Sequence, residues 1–218
     1  MLCTTAIAFP ASAFTTLASL NGTNGRLNQG GVYFAPSALL PATDGNLYGI
    51  APAGGEGNDG GTVFKIAPAV TLTTMYSFCI QANCLDGSEP QGSLIQALDG
   101  NLFGTTTQGG TASDGTIFKI TSGGTLTTLH SFSGDPEGAN PLAGLIQASD
   151  GNFYGTTGNG GVCGYGTFFR FSPGEGLTTL YSFCRSADGV KPHDGDYPIR
   201  AAQNGVDVPQ TLYLTVHN

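Results

Sequence analysis

Few side chains in this sequence are placed to do chemistry. Asp44, Asp99 and Asp150 recur in an identical Asp-Gly-Asn setting, and three equivalent carboxylates brought together could hold a metal or move a proton. Their neighbours point elsewhere. A carboxylate ahead of Gly-Asn caps a turn by accepting backbone hydrogen bonds, so a structural turn role is expected for all three, as for Asp86, Asp188 and Asp194, which also precede Gly. Cys79 and Cys84 flank one short loop, and Cys163 and Cys184 lie in adjacent elements. Two disulfides are expected, because no histidine recurs beside any of these thiols to activate it as a nucleophile.

His130, His193 and His217 are not spaced as zinc ligands, and no metal or cofactor is implied. His130 takes the place that Tyr76 and Tyr181 hold in related segments, so it reads as a half-buried strand residue. Lys65, Lys119 and Arg170 recur along one strand, with stems able to cover apolar surface while the charge reaches water. The set closest to a ligand surface is Tyr48, Phe103 and Tyr154 together with Thr105 and Thr156. Aromatic rings and hydroxyls repeated on one face suit a glycan, with packing as the competing explanation of the rings.

All these recurrences belong to one internal repeat. Asp-Gly-Asn-Leu-Tyr-Gly from Asp44 returns from Asp99 and Asp150. Gly-Thr-Val-Phe-Lys-Ile from Gly61 returns from Gly115 and Gly166. Leu-Thr-Thr-Met-Tyr-Ser-Phe from Leu72 returns from Leu126 and Leu177, with a weaker early copy at residues 14–20. Leu-Ile-Gln-Ala from Leu94 returns from Leu145 and, loosely, as Leu-Leu-Pro-Ala from Leu39. Leu72 and Leu126 are 54 residues apart and Leu126 and Leu177 are 51, and the three extra residues all fall between Phe78 and Gly87. Constant spacing inside the motifs with one variable loop is the mark of strands locked in register.

Each motif is short, rich in Thr, Val, Ile, Phe and Tyr, and bounded by Gly, Asp or Asn, which predicts a strand. Asp-Gly and Gly-Gly supply the turns. Four strands in about 51–55 residues make one antiparallel sheet with apolar residues on both faces. Stacking like sheets around an axis covers both faces, and the expected fold is an all-β, propeller-like array of four-stranded blades, with three clear copies and partial copies at both ends. Three arrangements fit the repeat: a four-bladed ring with residues 14–20 completing the blade of the C-terminal strands, an open arc, or a fragment that closes by pairing with a second chain.

The combination of Asp-Gly-Asn-(Leu/Phe)-(Tyr/Phe)-Gly, Gly-Gly, Gly-Thr-x-Phe-(Lys/Arg) and Leu-Thr-Thr-Leu-Tyr-Ser-Phe, with Asp-Gly-x-x-Pro at Asp86 and Asp188, resembles the GloVer-type repeat of choice-of-anchor tandem repeat proteins. The resemblance runs over residues 14–192. It implies an exported bacterial protein with many repeats before a variable C-terminal anchor, and it assigns no catalytic residue. Beyond Pro192 the pattern breaks. Residues 193–218 form a divergent tail without a recognisable anchor, to be read as capping strands, a truncation or a reading-frame artefact.

Composition sets outer limits. Thirty-five Gly, 12 Pro and only 10% charged residues exclude long ion-paired surface helices, while 39% apolar residues suffice for a core. A net charge of −8 without any basic cluster disfavours nucleic-acid binding. No apolar run reaches the roughly 20 residues of a membrane span. Residues 1–13 read as a truncated signal segment ending in Ala11-Ser12-Ala13, and export suits the cysteines. The expectation is therefore a non-catalytic, secreted, periplasmic or surface module for binding, adhesion or envelope scaffolding, with a glycan or envelope component as partner. The alternative is a secreted propeller enzyme, a lyase or hydrolase of polysaccharide or cyclic peptide, with its site in the non-repeated loops at residues 21–33, 56–59 or 191–196.

Overall fold

The structure, a computed structural model, describes residues 19–29, 32–33, 37–56 and 58–184. The expected leader, most of the early copy at residues 14–20, and the tail at residues 193–218 lie outside the described residues.

A hairpin of β1 (Asn28–Gln29) and β2 (Val32–Tyr33) precedes the repeats. Blade 1 is β3 (Leu40–Pro41), β4 (Leu47–Ala51), β5 (Thr62–Ile66) and β6 (Leu72–Ser77). In blade 2, β7 (Ser88–Pro90) and β8 (Ile95–Gln96) both pair with β9 (Leu102–Gln108), followed by β10 (Thr116–Ile120) and β11 (Leu126–Ser131). Blade 3 is β12 (Ile146–Gln147), β13 (Phe153–Thr156), β14 (Thr167–Ser172) and β15 (Gly176–Ser182). All pairs are antiparallel, so each blade is a meander, and the chain is an all-β, propeller-like array as the repeat requires. Among the described residues the one helical element is a 3-10 turn at Ala82–Cys84.

Glycine makes the tight turn between the first two strands possible. Gly45, Gly100 and Gly151 hold φ of +79°, +81° and +83°, a region closed to most side chains. At the outermost strand each blade slips register by one residue at the same place, between Val63 and Phe64, Ile117 and Phe118, and Phe168 and Phe169. The bulge adds local twist to the edge strand, which works against edge-to-edge pairing of chains.

The core lies between blades, not within one. Tyr48, Ile50, Val63 and Phe78 of blade 1 cluster with Leu94, Leu102, Phe118 and Ile120 of blade 2. Phe103, Ile117 and Phe132 of blade 2 cluster with Leu145, Phe153, Phe169 and Phe171 of blade 3. The two interfaces repeat even in detail: Phe78 meets Phe118 edge-on at 5.1 Å and Phe132 meets Phe169 edge-on at 5.3 Å.

The first strands of successive blades are tied by glutamine. Gln96 Oε1 accepts the Thr43 N–H of blade 1 at 2.9 Å, and Gln147 Oε1 accepts the Leu98 N–H of blade 2 at 3.0 Å. Each amide also donates to the carbonyl of its own Asp-Gly turn, Gly100 or Gly151, at 3.1 Å.

Candidate functional site

In a meander of this kind the two ends of the blades differ. One end carries the Asp-Gly-Asn turns. The other carries the Gly-Gly loops, both disulfides and the segments that cross from blade to blade, and it gathers Arg26, Glu56, Asp59, Asp86, Glu89, Asp114, Asp135 and Glu137.

At the turn end, Asp44, Asp99 and Asp150 do the same thing three times. One carboxylate oxygen accepts the backbone N–H of Asn46, Asn101 or Asn152 at 2.9–3.0 Å, and the other accepts the Asn side-chain amide at 2.7–2.8 Å. The Tyr48 hydroxyl adds a bond to Asp44 at 2.6 Å and Tyr154 one to Asp150 at 2.9 Å; Phe103 has no hydroxyl to offer Asp99. The three carboxyls are held below their ordinary value, Asp44 chiefly by Tyr48 and the Asn46 side chain, Asp99 and Asp150 chiefly by Asn101 and Asn152. Burial, then the bond to Asp44, pushes the Tyr48 phenol up to about 12.

These shifts predict two limbs of pH dependence. Carboxyls depressed on folding stabilise the fold above the unfolded value and lose that contribution as pH falls below about 4. A phenol raised on folding stabilises below about pH 10 and loses its contribution as pH climbs towards 12. Urea denaturation across pH should show both limbs, and Tyr48→Phe should make the alkaline one shallower while the raised Tyr76 and Tyr154 phenols keep the rest; an unchanged alkaline limb would sink the assignment to Tyr48.

The residues expected to form a ligand surface are turned inside. Tyr48, Phe103 and Tyr154 are 1%, 4% and 7% exposed, and Thr105 and Thr156 are 1% and 6%. Tyr48 and Phe103 belong to the interfaces between blades, and the Thr105 hydroxyl donates to the Ala143 carbonyl of the next blade. Neighbouring blades take up the surfaces of Tyr48, Phe103 and Thr105, while Tyr154 stacks on Phe168 of its own blade with ring centroids 6.0 Å apart. The same holds for Thr106 and Thr157, whose hydroxyls pair with Thr116 and Thr167 at 2.8 and 3.0 Å.

At the loop end, a pair that sequence spacing concealed recurs in two blades. The Tyr76 hydroxyl donates to Asp86 Oδ2 at 2.9 Å, and Asp86, fully buried, also accepts the N–H groups of Ile80 and Gln81 at 3.3 Å. Burial, then this bond, raises the Tyr76 phenol. In blade 2 the equivalent residues are His130 and Glu137: His130 Nε2 lies 3.3 Å from Glu137 Oε2, while Ser133 donates to Glu137 Oε1 at 2.8 Å. The intervening loop differs by three residues, which hides the correspondence. The visible signal is the joint change of Tyr with Asp into His with Glu. Burial also raises the Glu89 carboxyl.

Two of the three non-repeated loops meet. Arg26 forms an ion pair with Asp59, and Asp59 also accepts the Gly54 N–H at 2.7 Å. The third, at residues 191–196, lies outside the described residues. Among the described residues no group of three or more His, Cys, Asp and Glu could hold a metal ion.

Both expected disulfides are present. Cys79–Cys84 has Cα atoms 4.0 Å apart and Cys163–Cys184 has them 5.3 Å apart. Cys79 and Cys184 occupy the same repeat position yet reach in opposite directions, Cys79 forward into the longer loop and Cys184 back to blade 3's own Gly-Gly loop. Blade 2 has Ser133 there, bonded to Glu137. Loop-closure entropy grows with the length enclosed, so removing Cys163–Cys184 should cost about 3 kcal/mol and removing Cys79–Cys84 about 2 kcal/mol. Denaturant midpoints of the two double-serine variants check this order, and the reverse order would contradict it.

Comparison with known proteins places the chain. No curated protein matches the sequence. Among solved structures, a protein described as a gluconolactonase shares 19% identity, with a TM-score of 0.41 over 69% of this chain and 49% of that one. A gluconolactonase from Xanthomonas campestris shares 18% identity, with a TM-score of 0.45 over 71% and 49%. The chain spans about half the length of both. A family model, described as the Gloeobacter/Verrucomicrobia repeat, matches residues 6–213. With the motif order, the blade meander and that match in agreement, the chain belongs to the Gloeobacter/Verrucomicrobia repeat family.

Proposed function

We propose that this repeat protein is a non-catalytic module, exported to the periplasm, cell surface or medium, that serves binding, adhesion or envelope scaffolding. One observation carries the reading: the recurrent polar groups are committed to holding the array. Asp44, Asp99 and Asp150 each bind their own turn, Asp86 and Glu137 each bind their own loop, and Gln96 and Gln147 each bind the neighbouring blade. A catalytic carboxylate needs acceptor capacity left for substrate. Two disulfides accord with an oxidising compartment, and no helix among the described residues is long and apolar enough to cross a membrane. The ligand surface in this reading is the loop-bearing end, and an envelope polysaccharide is the partner class.

The enzyme reading keeps one observation in its favour, the meeting of residues 21–29 with residues 56–59 through Arg26 and Asp59. A glycan array and a polysaccharide-depolymerisation assay on the same folded sample decide between them. Binding without turnover supports the module. Turnover abolished by Asp59→Asn, with the denaturation midpoint unchanged, supports the enzyme.

A further inference from the structure

Asn-Gly pairs stand in the sequence at Asn21, Asn24, Asn159 and Asn204, and the first three lie among the described residues. In an Asn-Gly pair the glycine nitrogen is well placed to attack the asparagine side-chain amide, because no side chain on the second residue blocks the succinimide ring that results. The fold treats the three described pairs differently.

At Asn21 the side-chain bonds fall on the oxygen. Oδ1 accepts the Thr23 hydroxyl at 2.9 Å and the Asn24 N–H at 3.2 Å. Two donors aimed at an amide oxygen stabilise the negative charge that gathers there when a nucleophile adds to the carbonyl carbon. They leave Nδ2, the nitrogen that has to depart, without a partner among the described residues. Asn24 and Asn159 are arranged the other way. Asn24 Nδ2 donates to Ser19 O at 3.3 Å and Asn159 Nδ2 donates to Asn140 Oδ1 at 3.1 Å, so in both the departing nitrogen is tethered.

Space separates the pairs as well. Asn21 is exposed, whereas Asn24 and Asn159 are half-buried. A Cβ built on Gly22 would meet nothing within 4 Å, but one on Gly25 would run into Ala51 Cβ and lie 2.7 Å from Thr62 Oγ1, and one on Gly160 would lie 2.9 Å from the Gly138 backbone. The backbone at Gly22 therefore has room to turn into the ring geometry. At Gly25 and Gly160 it is held by close packing, and ring formation there has to wait for a local opening.

We propose that Asn21 is a self-modification site, where the chain converts its own amide to an aspartyl or isoaspartyl linkage and thereby loosens residues 22–25 from blade 1. The Gly22 nitrogen attacks Asn21 Cγ and a C–N bond forms. The Cγ–Nδ2 bond breaks, and Nδ2 leaves as ammonia with the proton that Gly22 gives up. Water then opens the succinimide at either carbonyl, and no other reactant is consumed. In the isoaspartyl product the main chain runs through the former side chain and is one methylene longer. That methylene lies directly before an anchor: Gly22 O accepts the Gly55 N–H of blade 1 at 2.8 Å, and Gly22 bridges to Gly25. The reaction also adds a negative charge at an exposed position beside this loop.

Peptide mapping by mass spectrometry, on the full chain aged near neutral pH in heavy-oxygen water, tests the site. Label should enter at Asn21 about 10-fold or more faster than at Asn24 or Asn159, and the three rates should converge in urea, where the pairs lose their surroundings. Thr23→Ala, which removes one donor from Oδ1, should slow the native reaction at Asn21 several-fold, and Thr23→Ser, which keeps the hydroxyl, should retain the original rate. In the isoaspartyl fraction the Gly55 amide should exchange its hydrogen about 10-fold faster than in the unaged chain. Native label entering Asn24 or Asn159 as fast as Asn21, or a Thr23→Ala rate equal to the original, would overturn the proposal. Unchanged exchange at Gly55 would overturn the loosening.

Discussion

Phe118→Ala is expected to lower stability by about 4 kcal/mol, the range for emptying a fully buried phenylalanine site. The ring has no solvent exposure and lies in the interface between blades 1 and 2, edge-on to Phe78 at 5.1 Å. It also fills the space above Gly104, where a Cβ would come within 2.7 Å of the ring tip. Collapse to refill the hole is resisted from two sides, since β9 and β11 hold β10 in place through the ladder. Equilibrium urea unfolding measures the loss. A loss within the range of an exposed-site substitution, below about 1 kcal/mol, would show that the contact between blades 1 and 2 is not made in solution.

Gly138→Ala should be of similar size, about 4 kcal/mol, for two reasons that add. Gly138 sits at φ +109°, outside even the left-handed region that a side chain tolerates at modest cost. Its Cβ would fall 2.5 Å from Thr167 Oγ1 and 2.8 Å from Thr157 Cγ2. These threonines bond each other at 3.0 Å, and the Thr167 hydroxyl donates to Glu137 O at 2.9 Å, so making room breaks the crossing itself. Gly151→Ala separates backbone strain from crowding. With φ +83° and open space around its Cβ, it should cost only about 1–2 kcal/mol. A Gly138→Ala loss no greater than that of Gly151→Ala would remove crowding from the account.

The contrast between these positions shows why some of the site was legible in residue order and some was not. The Asp-Gly-Asn turn is local: capping acceptor, positive-φ glycine and amide donor lie within three residues, so spacing suffices to read it. The crossing segments are not local. Glu89 and Asn140 adopt the same left-handed conformation although one is an acidic residue with no special liking for it, and the bond that holds each goes to a carbonyl about 30 residues earlier. Asp86 with Tyr76 and Glu137 with His130 are likewise joined across a loop whose length changes between copies.

The aromatic and hydroxyl set makes the same point from the other side. Alternation along β4, β9 and β13 assigns Tyr48, Phe103 and Tyr154 to one face of their sheets. Whether that face meets solvent or another blade depends on how sheets stack, and the stacked neighbour buries Tyr48 and Phe103.

Sequence alone determined the strands, turns, repeat length, cysteine pairing and blade architecture, because each follows from residues close together or from strict periodicity. Tertiary structure decided which polar groups are consumed in holding turns, loops and neighbouring blades, and which apolar residues are buried between blades. Those outcomes rest on contacts between copies, where each residue's neighbour is set by the packing of whole sheets.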